Sequence, residues 1–270
     1  MKMSDSVAVG TRGETQVHPT AIVHDDARLG PGVVVGPWAL IGPGVVVGDG
    51  TEVGPRVLIE KDTTIGEDCF LANGAVLGTD PQDLKFKGER SRLEVGDRTI
   101  VREYATLNRG TSASGSTVVG SDCLLMAYSH VAHDCEIGNH VVLANSVNMA
   151  GHVMIEDWAI VGGVTPIHQF VRIGAHAFVG GGSRVPQDVP PYCRAAGNPP
   201  KLYGLNSVGL ERRGLSEEVR KALKKAYRLL FQSDVNLSKA LDRAEQEVPG
   251  IPEVRHLLEF IRASERGVTT

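Results

Sequence analysis

An aliphatic residue returns at every sixth position from Val17 to Val185, with only two breaks, and this arithmetic constrains the fold more than any other feature. The register begins Val17, Val23, Leu29, Val35, Ile41, Val47, Val53, Ile59, Ile65, Leu71, Leu77. It returns in phase at Val95, Val101 and Leu107, then continues from Val119 through Leu125, Val131, Ile137, Leu143 and Met149 to Val185. Neither the 3.6-residue period of a helix nor alternation within one strand sustains such a pattern. A fixed short period over a long run is the mark of a β-solenoid, in which each repeat is one turn-and-strand unit.

Two further rows run in step. Glycine often follows the aliphatic residue, as at Gly36, Gly42, Gly48, Gly138 and Gly174, where a corner calls for positive φ or a tight bend. Four positions after the aliphatic stands a small or β-branched residue such as Ala39, Thr51, Ala105 or Ala177, suited to a narrow interior. This pattern resembles the hexapeptide-repeat family, whose members fold as left-handed parallel β-helices. The resemblance implies a triangular prism with three hexads to a coil. Residues eighteen apart then stack about 4.8 Å from one another in adjacent coils. Handedness comes from the likeness alone, since parallel crossovers are ordinarily right-handed.

Composition narrows the function. A net charge of −4 argues against a general nucleic-acid binder. The first ten residues lack a hydrophobic signal core, and no apolar stretch approaches the ~20 residues needed to span a bilayer, so the chain reads as soluble and cytoplasmic. Cys69, Cys123 and Cys135 fall in the inward small-residue slot, and with no CxxC pair they read as buried small hydrophobes.

The expected organisation is a lead-in over 1–16, a prism over 17–190, and a linker with a helical domain over 191–270. A charged loop over 79–93 and a Gly/Ser/Thr tract over 110–116 interrupt the prism; loops on a rigid scaffold are where function tends to sit. Pro190 and Pro191 are expected to end the ladder. Beyond Gly204 the pattern turns helical: Ser216 is an N-cap candidate, a second helix fits 237–247, and a third starts at Pro252.

The histidines cluster at His130, His133, His140, His152 and His168. By register His133 points outward near a corner, with Gly151 one coil on and Gln169 two coils on; His152 follows Asp134 in the same way. A neutral imidazole is the natural base near neutral pH, and a bare glycine leaves its N–H open to a developing oxyanion. Together they suit deprotonation of a hydroxyl that attacks an acyl carbonyl, with no protein nucleophile.

The stretches GTDPQDLKFKGE, LNRGT, SHVAHDC, IHQF, QDVPPY and GLERRG are similar to those of the UDP-N-acetylglucosamine acyltransferase family of lipid A biosynthesis. The resemblance implies transfer of a 3-hydroxyacyl group from acyl carrier protein to the glucosamine 3-hydroxyl of UDP-N-acetylglucosamine, by a homotrimer and without a cofactor. Carried onto this sequence, His133 is the general base, the Gly151 N–H the oxyanion donor and Asp134 the orienting carboxylate. Asp83 and Lys85 would reach the sugar nucleotide across a subunit boundary. His130, His152, His168 and Gln169 would line the cleft, and Arg212 with Arg213 would meet phosphate or the acidic carrier. Asn108 stands where some relatives have histidine, and Pro199–Pro200 depart from the pattern after GN. Gly181 lies where relatives measure the acyl chain, and glycine there implies a longer chain.

Three other readings stay open on the residues. An N-acyltransferase acting on the 3-amino sugar shares most of this machinery. A γ-carbonic-anhydrase-like lyase would use His130, His133 and His152 as zinc ligands. A non-catalytic solenoid would need more uniform surface columns than this chain shows.

Overall fold

The hexads build three flat parallel sheets that wrap around one narrow core. In the computed structural model, which describes residues 13–270, each hexad contributes a strand of about two residues and a corner. The expected lead-in over 1–16 therefore lies largely outside the described residues. The first sheet has 11 strands, and the second and third have 8 each. Within a sheet each strand pairs in parallel with the strand three hexads later, so Val35 faces Val53 and Val131 faces Met149.

Each strand splits into an outward and an inward residue. Val35, Ile41, Leu71, Leu125 and Val161 are all buried, while their predecessors face out. The small-residue slot is also buried, and most of its polar members are satisfied locally, the Ser129 hydroxyl being an exception. The Thr51 hydroxyl donates to the Gly66 carbonyl (2.8 Å), and the Cys135 thiol reaches the Ala150 carbonyl (3.2 Å). Each buried Val, Leu or Ile contributes about 1.5–3 kcal/mol, and every coil repeats that gain.

The corners carry a finding the sequence pattern obscures. Positive φ falls three residues after the aliphatic and is held mostly by non-glycine residues, among them Trp38, Asp134, His152 and Phe170. The glycine directly after the aliphatic is needed for close approach. A Cβ on Gly42 would lie 1.6 Å from the Glu60 carbonyl oxygen of the next coil.

The prolines at 190 and 191 turn a corner without stopping the ladder, because neither has to donate into it. Cys193–Gly197 pairs in parallel with Phe178–Val179, and Pro200–Leu205 then closes an antiparallel hairpin over it. The stretch 197–204, expected as linker, is thus partly strand. Four helices follow: α1 (Ser207–Arg212), α2 (Glu217–Phe231), α3 (Leu237–Glu247) and α4 (Pro252–Arg262). Ser216 caps α2 by accepting from the Val219 N–H, and proline opens α4. The helices bury Leu223, Leu230, Leu241, Leu257 and Phe260 in a second core. The chain end straps back onto the prism: the Thr269 N–H donates to the Asp188 carbonyl (2.8 Å), and the Ser264 hydroxyl to the Asp188 carboxylate (2.7 Å).

Candidate active site

The three sheets meet at three edges, and chain order assigns every corner to one of them. The edge between the second and third sheets receives Thr79 to Ser91, Arg109 to Gly115, His133–Asp134, Gly151–His152 and His168–Phe170. Both interruptions of the repeat and the histidine column therefore share one edge.

His133 Nδ1 and Asp134 Oδ2 are 2.7 Å apart. An ionised carboxylate at that nitrogen accepts from a ring Nδ1–H, which keeps the proton on Nδ1 and leaves Nε2 as an acceptor. Asp134 is 5% exposed and densely held. It accepts from the Thr111 N–H (2.9 Å), the Thr111 hydroxyl (2.7 Å) and the Ser114 hydroxyl. Burial pushes its carboxyl up, but the donors from Ser114, Thr111 and His133 outweigh burial and hold it well below the usual carboxylate range.

Gly151 sits directly against the imidazole. A Cβ built on it would lie 2.5 Å from His133 Cε1 and 2.7 Å from Nε2, so no other residue leaves the ring where it is. Among the described residues the Gly151 N–H donates no backbone hydrogen bond. His152 meets the His133 ring edge-on at 5.2 Å and stacks on Phe170 at 4.5 Å. His130, on the second sheet, bonds Thr106 Oγ1 through Nδ1 (2.7 Å); burial, then the nearby His133, lower its proton affinity. A recess of ≈ 260 Å³ opens beside this column, lined by His152, Phe170, Arg172 and Arg266. A larger one of ≈ 660 Å³ lies on the third sheet between Glu136, Met154 and His256, away from His133.

The remaining candidates are scattered. His168 lies exposed on the same edge, its Nδ1 near the Gln169 carbonyl oxygen (3.2 Å). Asp83 and Lys85 stand on the loop with no contact to His133, and the Asp83 carboxylate accepts from the Lys85 N–H (3.0 Å). Asn108 is 2% exposed and lines no open surface. Its amide donates to Thr79 Oγ1 (2.7 Å) and the Asp80 carbonyl (3.0 Å), so in one chain it braces the loop. Gly181 lies on the edge between the first and second sheets, where a Cβ would meet the Gly163 carbonyl oxygen at 3.2 Å. Arg212 and Arg213 end α1 beside the third edge, with the Arg213 guanidinium 5.3 Å from the Trp158 ring centre.

Thr111, Ser114, Arg109 and Phe170 do not figure among the residues picked from the sequence. The register held a signal for the first two: the 110–116 tract leaves the prism at the edge that carries His133. Within one chain, the three histidines of the zinc reading do not come together. His133, Asp134 and His152 offer atoms within 4.8 Å of one another, but His130 is not among them. The Asp134 oxygens are already saturated by hydroxyl, amide and imidazole donors.

The prism and this edge define a hexapeptide-repeat acyltransferase, and known proteins narrow the class. Residues 44–79 and 116–151 match the bacterial transferase hexapeptide model, and residues 188–269 match UDP N-acetylglucosamine O-acyltransferase, domain 2. The acyl-[acyl-carrier-protein]--UDP-N-acetylglucosamine O-acyltransferase of Anaeromyxobacter sp. (strain K) is 47% identical over 71% of this chain and 75% of its own. That of Alkalilimnicola ehrlichii is 49% identical over 72% and 76%. The solved Francisella novicida UDP-N-acetylglucosamine acyltransferase superposes with a TM-score of 0.90 at 34% identity, covering 94% of each chain. LpxA from Acinetobacter baumannii gives 0.91 at 40% identity over 94% and 99%. The chain belongs to the acyl-[acyl-carrier-protein]--UDP-N-acetylglucosamine O-acyltransferase family, and its prism is the left-handed parallel β-helix expected from the repeat.

Proposed function

We propose that this enzyme moves a 3-hydroxyacyl group from acyl carrier protein to the 3-hydroxyl of UDP-N-acetylglucosamine, the first step of lipid A biosynthesis. The activity follows from family membership; the assignment of roles to residues is our reading of the edge. One observation carries it: an imidazole anchored at Nδ1 by a buried carboxylate, with a bare glycine packed on its Nε2 side.

His133 Nε2 takes the proton of the sugar hydroxyl as that oxygen attacks the thioester carbonyl carbon. The Gly151 N–H donates to the oxyanion that forms, and Asp134 balances the imidazolium. Collapse breaks the C–S bond, and the imidazolium returns its proton to the departing carrier thiolate. No covalent enzyme intermediate is needed.

The active unit is a homotrimer in this reading. The edge between the first and second sheets presents Trp38, Tyr104, Tyr128 and Val164, between 48% and 70% exposed. A threefold axis facing the second sheet would lay that edge of one subunit, with Gly181, against the His133 edge of the next. Asp83 and Lys85 would then serve the sugar nucleotide in the shared groove. Arg212 and Arg213, on the outer edge, would meet the acidic carrier.

Replacing His133 with Ala should lower turnover by on the order of 10²–10⁴ while circular dichroism stays unchanged. Rates within threefold of wild type would remove His133 from its role. Assaying UDP-N-acetylglucosamine beside its 3-amino analogue decides between ester and amide formation, and preference for the amine would redirect the reading to N-acylation.

A further inference from the structure

Arg109 takes no part in the chemistry above, yet its side chain is among the largest that are fully buried, at 1% exposure. Its Nε donates to the Gly78 carbonyl (2.9 Å), and Nη1 to the Ser91 carbonyl (3.2 Å) and hydroxyl (3.3 Å). Nη2 pairs with the Asp80 carboxylate. The ring of Phe86 closes over the guanidinium at 6.0 Å. Gly78 and Asp80 bound the start of the charged loop, Ser91 bounds its end, and Phe86 comes from its middle. The Arg109 N–H also donates to the Thr79 carbonyl (3.0 Å), so backbone and side chain grip the same base.

A buried cation is an expensive filler, and an apolar residue of the same volume would pack as well. What the guanidinium adds is a rigid fork of donors able to hold three chain segments at once. Above it, the Asp83 carbonyl accepts from the Phe86 N–H (3.0 Å), and the Asp83 carboxylate accepts from the Lys85 N–H. The turn bearing Asp83 and Lys85 is thereby tied to the ring that caps Arg109.

We propose that Arg109 is a positioning residue for sugar-nucleotide binding: it closes the base of the 80–91 loop and, through Phe86, fixes where Asp83 and Lys85 stand. This rests on the reading of that loop as nucleotide-binding. The lost interactions are hydrogen bonds to a charged group, so their removal should be felt as weakened binding with chemistry intact.

The test is steady-state kinetics on the full chain for Arg109→Lys, Arg109→Met, Asp80→Asn and Phe86→Ala, varying each substrate separately, alongside tryptic cleavage after Lys85 and Lys87. The KM for UDP-N-acetylglucosamine should rise tenfold or more in Arg109→Met and less in Arg109→Lys, with kcat and the carrier KM within about threefold of wild type. Phe86→Ala and Asp80→Asn act from the solvent side and should reproduce the effect in part, with faster tryptic cleavage, even if Arg109→Met fails to fold. Unchanged KM and unchanged cleavage in Phe86→Ala and Arg109→Lys would overturn the proposal. So would a fall in kcat with KM intact, which marks a general packing role. If wild type itself fails to acylate UDP-N-acetylglucosamine, the functional reading falls, and the cleavage rates still decide whether Arg109 holds the loop.

Discussion

At the residue scale, the site depends on how many donors converge on one carboxylate. Asp134 is held as an anion by hydroxyls and an amide from the 110–116 tract, which spend part of its charge before His133 draws on it. Removing the two hydroxyl donors by the pair Thr111→Val and Ser114→Ala, with the Thr111 N–H still in place, leaves the carboxylate freer to stabilise an imidazolium beside it. The acid limb of the kcat/KM profile should move to higher pH by on the order of half to one unit, since one unit is about 1.4 kcal/mol and matches the net worth of a charged hydrogen bond. A limb that stays in place or moves down would show that the donors only brace the fold. The same donors bear on stability. The folded carboxyl lies below its unfolded value, so its contribution is present above about pH 4 and is lost as pH falls further. Gly151→Ala tests the packing directly: its Cβ displaces the His133 ring, and kcat should fall by on the order of 10² with the carrier KM preserved. Near-normal kcat would mean that the ring has room to give.

At the element scale, legibility followed periodicity. The sixth-residue aliphatics and the buried slot at Ala39, Cys69 and Ala177 declare themselves because each repeats one environment many times. Ser216 and Pro252 mark helix starts by local chemistry that needs no tertiary context. The role of the glycine row was hidden, because a contact with the next coil looks identical in sequence to a need for positive φ. The strand at Cys193–Gly197 was hidden because the prolines before it occupy a corner, where their missing N–H costs nothing. A ladder of rings on the third edge also escaped notice: His140, Trp158, His176 and Tyr192 stack in turn with centroids 3.8–6.1 Å apart. Burial in that stack, then the nearby Arg213 charge, push His176 down to about 4. A histidine depressed below its unfolded value of about 6.5 favours folding above that pH and loses its contribution as pH falls towards 4. Thermal midpoints should therefore drop between about pH 6.5 and 4, and His176→Phe, which keeps the stack, should flatten that drop. An equal drop in the variant would assign the acid sensitivity elsewhere.

At the scale of the whole molecule, the residues that the family likeness names do not all share one edge of the prism. His133, Gly151, Asp134 and His152 share an edge, Gly181 lies on a second, and Arg212 and Arg213 border a third. The sequence could name these residues but not their edges' partners, because hexad register fixes stacking along the prism and carries nothing about what faces it. An assembly that pairs the first edge with the second resolves the split and also covers the exposed apolar tips. Val164 is the sharpest probe of it, being 70% exposed at a positive-φ corner. Val164→Glu should leave the monomer fold intact, since the side chain faces solvent there. If the tip seats against a neighbour, the charge must be buried without a partner, which costs several kcal/mol per contact and is paid three times over in a ring. Light scattering should then show a smaller particle for the variant than for wild type at the same concentration, with activity lost in parallel. A variant that keeps the wild-type size and activity would move the subunit boundary away from this edge and detach Gly181 from the groove that holds His133.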